Sequence, residues 1–264
     1  MTSELTDDEV GPFTAGETSR GVLLLHGFGG SPASMRPWAR YLLGQGYRVS
    51  VPLLPGHGTT WQDLSSTRWP DWYGSAERAL IELAEHCETV AVTGLSMGGS
   101  LALRLAARHP AIVRAVVLVN PSIANPNRLL FALPVLQHFV PSIRNDGPMV
   151  KKPDVPRASY DRLSLKAVRS MTLLWRDVRP RLSAVTQPLL LFRSLADGTA
   201  GELSSGIVLR GIASAEHREV LLSDSYHIAT LDNDAETIFA ESAAFLRTWL
   251  PVLQSGPDPS DTAR

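Results

Sequence analysis

Residues 89 to 108 read Thr89-Val90-Ala91-Val92-Thr93-Gly94-Leu95-Ser96-Met97-Gly98-Gly99-Ser100-Leu101-Ala102-Leu103-Arg104-Leu105-Ala106-Ala107-Arg108. The first five are short, β-branched and apolar, the composition of a buried strand. From Ser100 onward the residues are strong helix formers, and the run stops before Pro110. Between them lies Gly94-x-Ser96-x-Gly98, followed by a further glycine, Gly99. Strand, sharp turn, helix is the setting that lifts a serine hydroxyl out of a sheet for use as a nucleophile. Gly94 and Gly98 lack a Cβ, so strand and helix can approach closely around the turn. The helix that starts there turns its free N–H groups toward the place where negative charge would develop.

Outward from this turn, strand and helix patterns alternate. Arg20 to His26 is a continuous apolar run, as in a parallel strand covered on both faces. A helix is expected from Ser34 to about Gln45, closed by Gly46, then a strand over Tyr47 to Val51. A long helix is expected from Trp69 to Cys87, with Trp72, Ala76, Ala79, Leu80 and Leu83 on one face. Val113 to Val119 is a strand that ends at Asn120-Pro121. Residues 121–163 break the rhythm. They are rich in proline, carry irregular apolar patches, and are too long for an ordinary loop, so they read as an inserted cap. Alternation resumes with a helix over about 165–182, a strand over 188–193, a helix over 202–211, a strand over 218–222 and a helix over 235–250. This pattern specifies an α/β fold, a mostly parallel sheet with helices on both faces. The expected core is 19–120 together with 164–252. The segments 1–18 and 253–264 are polar and are expected to be flexible.

Composition narrows the function. The 264 residues are 44% hydrophobic and 19% charged, with a formal net charge of −1 and no basic block. That argues against nucleic acid and against a strongly anionic membrane as partner. The single cysteine, Cys87, allows neither an intramolecular disulfide nor a Cys/His metal framework. No apolar run approaches the ~18 residues that span a bilayer. The acidic start of the chain does not read as a signal peptide, which makes the cytoplasm the expected location.

A serine hydroxyl needs a base to take its proton, and the base needs a carboxylate to hold its tautomer. In doubly wound sheets such chemistry gathers at the carboxyl ends of the strands. Asp197 follows the strand that ends at Arg193, and His227 follows the strand that ends at Leu222, so serine, acid and histidine occur in that order. Asp224 and Asp232 are competing acids, but the first shares the histidine's loop and the second follows it. The oxyanion that forms during acyl transfer needs two N–H donors. The backbone of Met97 is one. The other is expected from His26-Gly27-Phe28-Gly29-Gly30, most simply from Phe28. That glycine run lacks the rest of a phosphate-binding loop. His26 and His57 read as structural histidines.

With these residues collected, the chain resembles the bacterial monoacylglycerol lipases and carboxylesterases of the α/β-hydrolase superfamily. The resemblance is carried by Leu25-His26-Gly27-Phe28-Gly29-Gly30-Ser31-Pro32, Ser34-Met35-Arg36-Pro37, Pro55-Gly56-His57-Gly58-Thr59, Asp71-Trp72, Val92 to Gly99, and Ser225-Tyr226-His227-Ile228-Ala229-Thr230-Leu231-Asp232. It implies an α/β-hydrolase core with a small cap, and hydrolysis of monoacylglycerols and short- to medium-chain esters without metal or organic cofactor. It carries Ser96, Asp197 and His227 over as the triad, and Phe28 and Met97 as the oxyanion hole. Asp161 stands where the resembling lipases carry an acidic residue that would meet the glycerol hydroxyls. One departure is Gly198-Thr199-Ala200-Gly201, where the family has a His-Val-Val-like run after the aspartate. The expected partner is a small lipid ester, with no stable membrane insertion and at most transient contact with lipid surfaces. Residues 128–140, apolar on nearly every side, are expected either in the core or along an acyl-chain tunnel. A general carboxylesterase, an acyltransferase and a non-catalytic binding protein are the competing readings.

Overall fold

The computed structural model describes residues 5–156 and 159–251. In chain order it contains α1 (Asp7–Val10), β1 (Phe13–Ala15), β2 (Arg20–Leu25), α2 (Arg36–Gly44), β3 (Arg48–Val51), α3 (Trp61–Ser66), α4 (Trp69–Ala84), β4 (Thr89–Leu95), α5 (Met97–Arg108) and β5 (Val113–Val119). Then follow α6 (Leu133–Leu136), β6 (Ser142–Arg144), β7 (Arg162–Ser164), α7 (Leu165–Val178), β8 (Leu189–Ser194), α8 (Gly201–Gly211), β9 (His217–Leu222) and α9 (Ala235–Trp249). Seven strands form one sheet in the order β1-β3-β2-β4-β5-β8-β9. All neighbours are parallel except β1, which runs antiparallel to β3 with Phe13 opposite Val51.

The period of two along each strand sorts side chains between two helical layers. Leu23, Leu25, Val90, Val92, Val116, Leu118, Leu189 and Leu191 pack with Trp72 and Leu80 of α4, Leu101 and Leu105 of α5, and Leu174 of α7. Val22, Leu24, Ala91, Val117, Leu190 and Phe192 face the other way, toward Trp38 and Leu42 of α2 and Ile238, Phe239 and Leu246 of α9. Both faces of the central strands are therefore buried, which is why their sequences are continuous rather than alternating in hydrophobicity.

The structure departs from the sequence expectation in three places. Phe13–Ala15, within the stretch expected to be loose, is an edge strand. The expected helix over 165–182 gives way after Val178 to a 3₁₀ turn, Arg179–Ala184, because Pro180 cannot donate the next backbone bond. Residues 128–140 form neither a core helix nor a tunnel. They fold as a 3₁₀ turn, Arg128–Ala132, and the single turn α6, with Pro134 at the start of α6. Only Leu133 is buried there, packed with Leu165 and Val168 of α7. Among the described residues no helix is long and apolar enough to cross a membrane. The expected flexible tail lies outside the described residues, apart from its flank at Pro251.

Candidate active site

The turn after β4 takes an unusual backbone form. Ser96 has φ 55° and ψ −118°, a left-handed conformation that costs a non-glycine residue roughly 1–3 kcal/mol. The surroundings over-determine it. The Ser96 N–H donates to Val119 O at 3.0 Å, and its carbonyl accepts from Gly99 N–H at 2.9 Å and Ser122 N–H at 3.1 Å. The flanking glycines are sterically required. A Cβ on Gly94 would lie 2.2 Å from Gly98 O, and one on Gly98 would lie 2.0 Å from Leu25 O.

Three loops at the carboxyl edge of the sheet bring the expected residues together. His227 Nε2 lies 2.8 Å from Ser96 Oγ, and His227 Nδ1 lies 2.9 Å from Asp197 Oδ2. The two side chains are almost wholly buried, 5% exposed for His227 and 0% for Asp197. Asp197 Oδ1 also accepts from Thr199 N–H at 2.7 Å and Ala200 N–H at 3.2 Å, and Oδ2 accepts from Gly201 N–H at 3.4 Å. Burial works against the charged form of Asp197. The hydrogen bond and charge of His227 and the loop N–H groups outweigh it, and they hold the carboxyl below its ordinary value. The Gly198-Thr199-Ala200-Gly201 departure is thus a tight loop running into α8 that wraps the carboxylate in N–H donors.

The two competing acids have other work. Asp224 is ion-paired with Lys151 at the surface. Asp232 is buried and accepts four backbone N–H groups, Lys151 at 2.7 Å, Lys152 at 2.8 Å, Tyr226 at 2.8 Å and Asn233 at 2.9 Å. It ties the segment after β6 to the His227 loop, where Ile228 N–H also donates to Met149 O at 2.9 Å. Asn120, at the end of β5, does the same from below. Its Nδ2 donates to His227 O and Ser194 Oγ, both at 2.9 Å, and its Oδ1 accepts from Ser194 N–H at 2.8 Å. These two anchors escaped the sequence reading. The only sequence signal for Asn120 was a polar residue closing an apolar strand.

Ser96 opens into a cavity of about 120 Å³ whose apolar wall includes Phe28, Leu95, Met149, Leu163, Met171 and Ile228. Its polar lining is Ser34, Ser122, Asn145, Ser159 and Thr199. Phe28 lines the cavity together with Ser96, Met97 follows Ser96 in the chain, and among the described residues neither backbone N–H is engaged in a hydrogen bond. Asp161 is not brought into this cavity. Its side chain is exposed, and only its carbonyl takes part, accepting from Asn145 N–H at 2.8 Å.

Beneath Phe28 lies a buried aromatic cluster. His57 packs edge-on against His26, Phe28 and Trp72, with ring centroids 5.1, 6.2 and 5.6 Å away. His26 Nε2 accepts from Leu54 N–H at 3.2 Å and its Nδ1 donates to Gly27 O at 2.9 Å, so the ring is neutral and fixes the loop that carries Phe28. Burial pushes His26 down to about 4, and burial together with the neighbouring His26 pushes His57 down to about 3.

Comparison with known proteins relates this chain to a wider group. The chain is 37% identical to a thermostable monoacylglycerol lipase of Bacillus sp. (strain H-257) over 236 residues, 89% of this chain and 93% of the relative. It is 25% identical to a carboxylesterase of Bacillus subtilis (strain 168) over 89% of this chain and 95% of the relative. A solved structure reported with the metagenome-derived lipolytic enzymes LipS and LipT superposes with a TM-score of 0.88 at 31% identity, covering 91% of this chain and 98% of the other. Residues 22–255 match the model of the alpha/beta hydrolase family, and the protein belongs to that family.

Proposed function

We propose that the protein is a serine ester hydrolase that cleaves monoacylglycerols to fatty acid and glycerol through an acyl-enzyme. The observation that carries this reading is the continuous relay Ser96 Oγ, His227, Asp197 at the mouth of an apolar cavity. The substrate class is supported by the 37% identity to a monoacylglycerol lipase across nearly the whole chain.

The chemistry follows from the hydrogen bonds. With Nδ1–H donated to the Asp197 carboxylate, the His227 Nε2 lone pair faces the Ser96 hydroxyl. It takes the proton as Oγ attacks the ester carbonyl. The carbonyl oxygen becomes an oxyanion between the Phe28 and Met97 N–H groups, the latter at the positive end of α5. Collapse expels the alkoxide, which receives the proton from His227. Water, deprotonated by the same nitrogen, then releases the fatty acid. Asp197 holds the tautomer and stabilises the imidazolium between these steps. A site on rigid strand ends, anchored by Asn120 and Asp232, preserves the geometry through both halves of the cycle. A cytoplasmic location belongs to the same reading, since the single thiol, Cys87, is buried and needs no oxidising compartment.

The test is covalent labelling of the wild-type protein by a serine-directed phosphonate, with hydrolysis followed over monoacylglycerols of graded chain length. The label is expected on Ser96, and Ser96→Ala is expected to fold and to retain only trace turnover. Substantial activity in Ser96→Ala would refute the mechanism. Labelling without hydrolysis of any monoacylglycerol would refute the substrate.

A further inference from the structure

Phe28, the expected oxyanion donor, sits among Gly27, Gly29 and Gly30, and such a run leaves the backbone many conformations. A donor works only when its N–H points at the place where the charge develops, about 2.7–3.1 Å from that oxygen. The peptide between Gly27 and Phe28 is planar and trans, so the Phe28 N–H points opposite the Gly27 carbonyl. That carbonyl accepts from His26 Nδ1 at 2.9 Å and from Gly30 N–H at 3.2 Å. The aim of the Phe28 N–H therefore depends on where Gly29 and Gly30 are held.

The segment that runs into β7 holds them. Gly30 and Ser159 form an antiparallel β-bridge. The Tyr160 N–H donates to Gly29 O at 2.9 Å, where Gly29 takes the left-handed φ of 67° that a glycine adopts without strain. The Tyr160 hydroxyl reaches a second loop, 55–59. It donates to Gly56 O at 3.0 Å and accepts from Thr59 N–H at 2.9 Å. Between those two contacts lies His57, whose ring packs edge-on against Phe28 and His26. Burial pushes the Tyr160 phenol above its ordinary value, so the hydroxyl keeps the proton that it donates. From the cap side, Asn145, just after β6, fixes the same segment. Its N–H donates to Asp161 O at 2.8 Å and its Nδ2 to Tyr160 O at 2.9 Å.

We propose that Tyr160 is a positioning residue for ester hydrolysis, a clasp that ties the glycine loop to the 55–59 loop and so keeps the Phe28 N–H aimed at the oxyanion. The inference rests on the proposed acyl transfer at Ser96. Tyr160 is not among the described residues that line the Ser96 cavity, so it acts through Phe28 rather than on the substrate. An interaction that matters only once the oxyanion exists changes kcat and leaves substrate binding as it was. The cap therefore contributes to the chemical step through a hydroxyl that the reacting ester does not meet.

Tyr160→Phe in the full-length protein keeps the ring and deletes the hydroxyl bonds to Gly56 and Thr59. Steady-state kinetics on one ester should show kcat lowered about tenfold with KM unchanged, less than the roughly hundredfold or more that follows outright removal of an oxyanion donor. Two inhibitors of equal chain length separate positioning from a merely structural role. An alkyl trifluoromethyl ketone acquires an oxyanion when Ser96 Oγ adds to its carbonyl carbon and the hydroxyl proton passes to His227. The corresponding secondary alcohol fills the cavity without one. Tyr160→Phe should bind the ketone about tenfold more weakly and the alcohol as tightly as the wild type does. Unchanged kcat and ketone affinity would overturn the inference. So would equal losses on ketone and alcohol, the result for a residue that only holds the cap. Loss of the cooperative urea transition in Tyr160→Phe would overturn it too, since the clasp would then belong to the fold rather than to the site. A wild type that neither hydrolyses an ester nor binds the ketone more tightly than the alcohol would refute the proposed function, and this inference with it.

Discussion

Acid should destabilise this protein through two histidines that never touch the substrate. His26 and His57 are buried as neutral rings with values of about 4 and about 3, against 6.5 for the free side chain. In the unfolded chain both begin to bind protons near pH 6.5, while in the folded chain they do not. The unfolded state therefore holds more protons between these limits, and stability falls as the pH falls. The full contribution is present above pH 6.5, declines below it, and levels off only near the folded values. At pH 5 each histidine has lost about 2 kcal/mol relative to pH 7. The pair together, about 4 kcal/mol, is a large part of the 5–15 kcal/mol that holds a typical domain. His57→Phe isolates one half of the effect. A phenyl ring suits a site walled by His26, Phe28 and Trp72, and the buried His57 Nε2 has no hydrogen-bond partner to lose. The Pro55 carbonyl that His57 Nδ1 reaches also accepts from Thr67 Oγ1, so it stays satisfied. Urea unfolding at pH 7 and pH 5 should show the wild type losing about 4 kcal/mol and His57→Phe losing about half of that. A variant with the same pH dependence as the wild type, or a wild type with none, would refute the assignment of acid lability to this cluster.

The other expectations concern the site itself. Asp197→Asn should lower kcat by about ten-thousandfold, the cost of the same change in the protease triad. Asp224→Asn should change it little, because that carboxylate is committed to Lys151 at the surface; steady-state kinetics on one ester ranks the two, and the reverse order would reassign the acid. Gly98→Ala should fail to give soluble folded protein, since its Cβ would meet the Leu25 carbonyl oxygen at 2.0 Å, and recovery of a cooperative unfolding transition near the wild-type midpoint would contradict the close packing at the turn. Asp161→Ala should lower kcat/KM equally, and only slightly, on a monoacylglycerol and on an ethyl ester of the same chain length, because the carboxylate is exposed and outside the cavity lining. A selective loss on the monoacylglycerol would restore Asp161 as the contact for glycerol.

Much of the molecule was legible in the sequence because local constraints wrote it there. The β-branched run 89–93, the glycines around Ser96 and the helix formers after them leave few backbones open, and the structure adopts the expected one. Asp197 and His227 were legible by place, each just beyond a strand in a fold whose strand ends converge. Their meeting at 2.9 Å is a geometric fact that no local pattern contains. The same limit hid Asn120 and Asp232. Asn120 acts on Ser194 and His227, 74 and 107 residues away, and Asp232 joins Lys151 and Lys152, 81 and 80 residues away, to the nearby Tyr226 and Asn233, so the distant half of each anchor is not announced by the chain around it.

Hydrophobicity was the least reliable guide where the fold supplies too little surface to cover. Residues 128–140 are as apolar as a core helix, yet α7 offers them one face, and Phe131 and Phe139 remain in solvent. Net charge is equally silent about placement, for a formal charge of −1 does not say that Arg68, Lys166 and Arg169 line one groove. Sequence by itself determined the alternation of strands and helices, the strained turn and the kinds of residue available for acyl transfer, because these follow from steric and propensity constraints within a few neighbours. Tertiary structure alone decided which carboxylate reaches His227, which apolar residues are covered and which cations cluster, because those depend on which distant surfaces the sheet brings face to face.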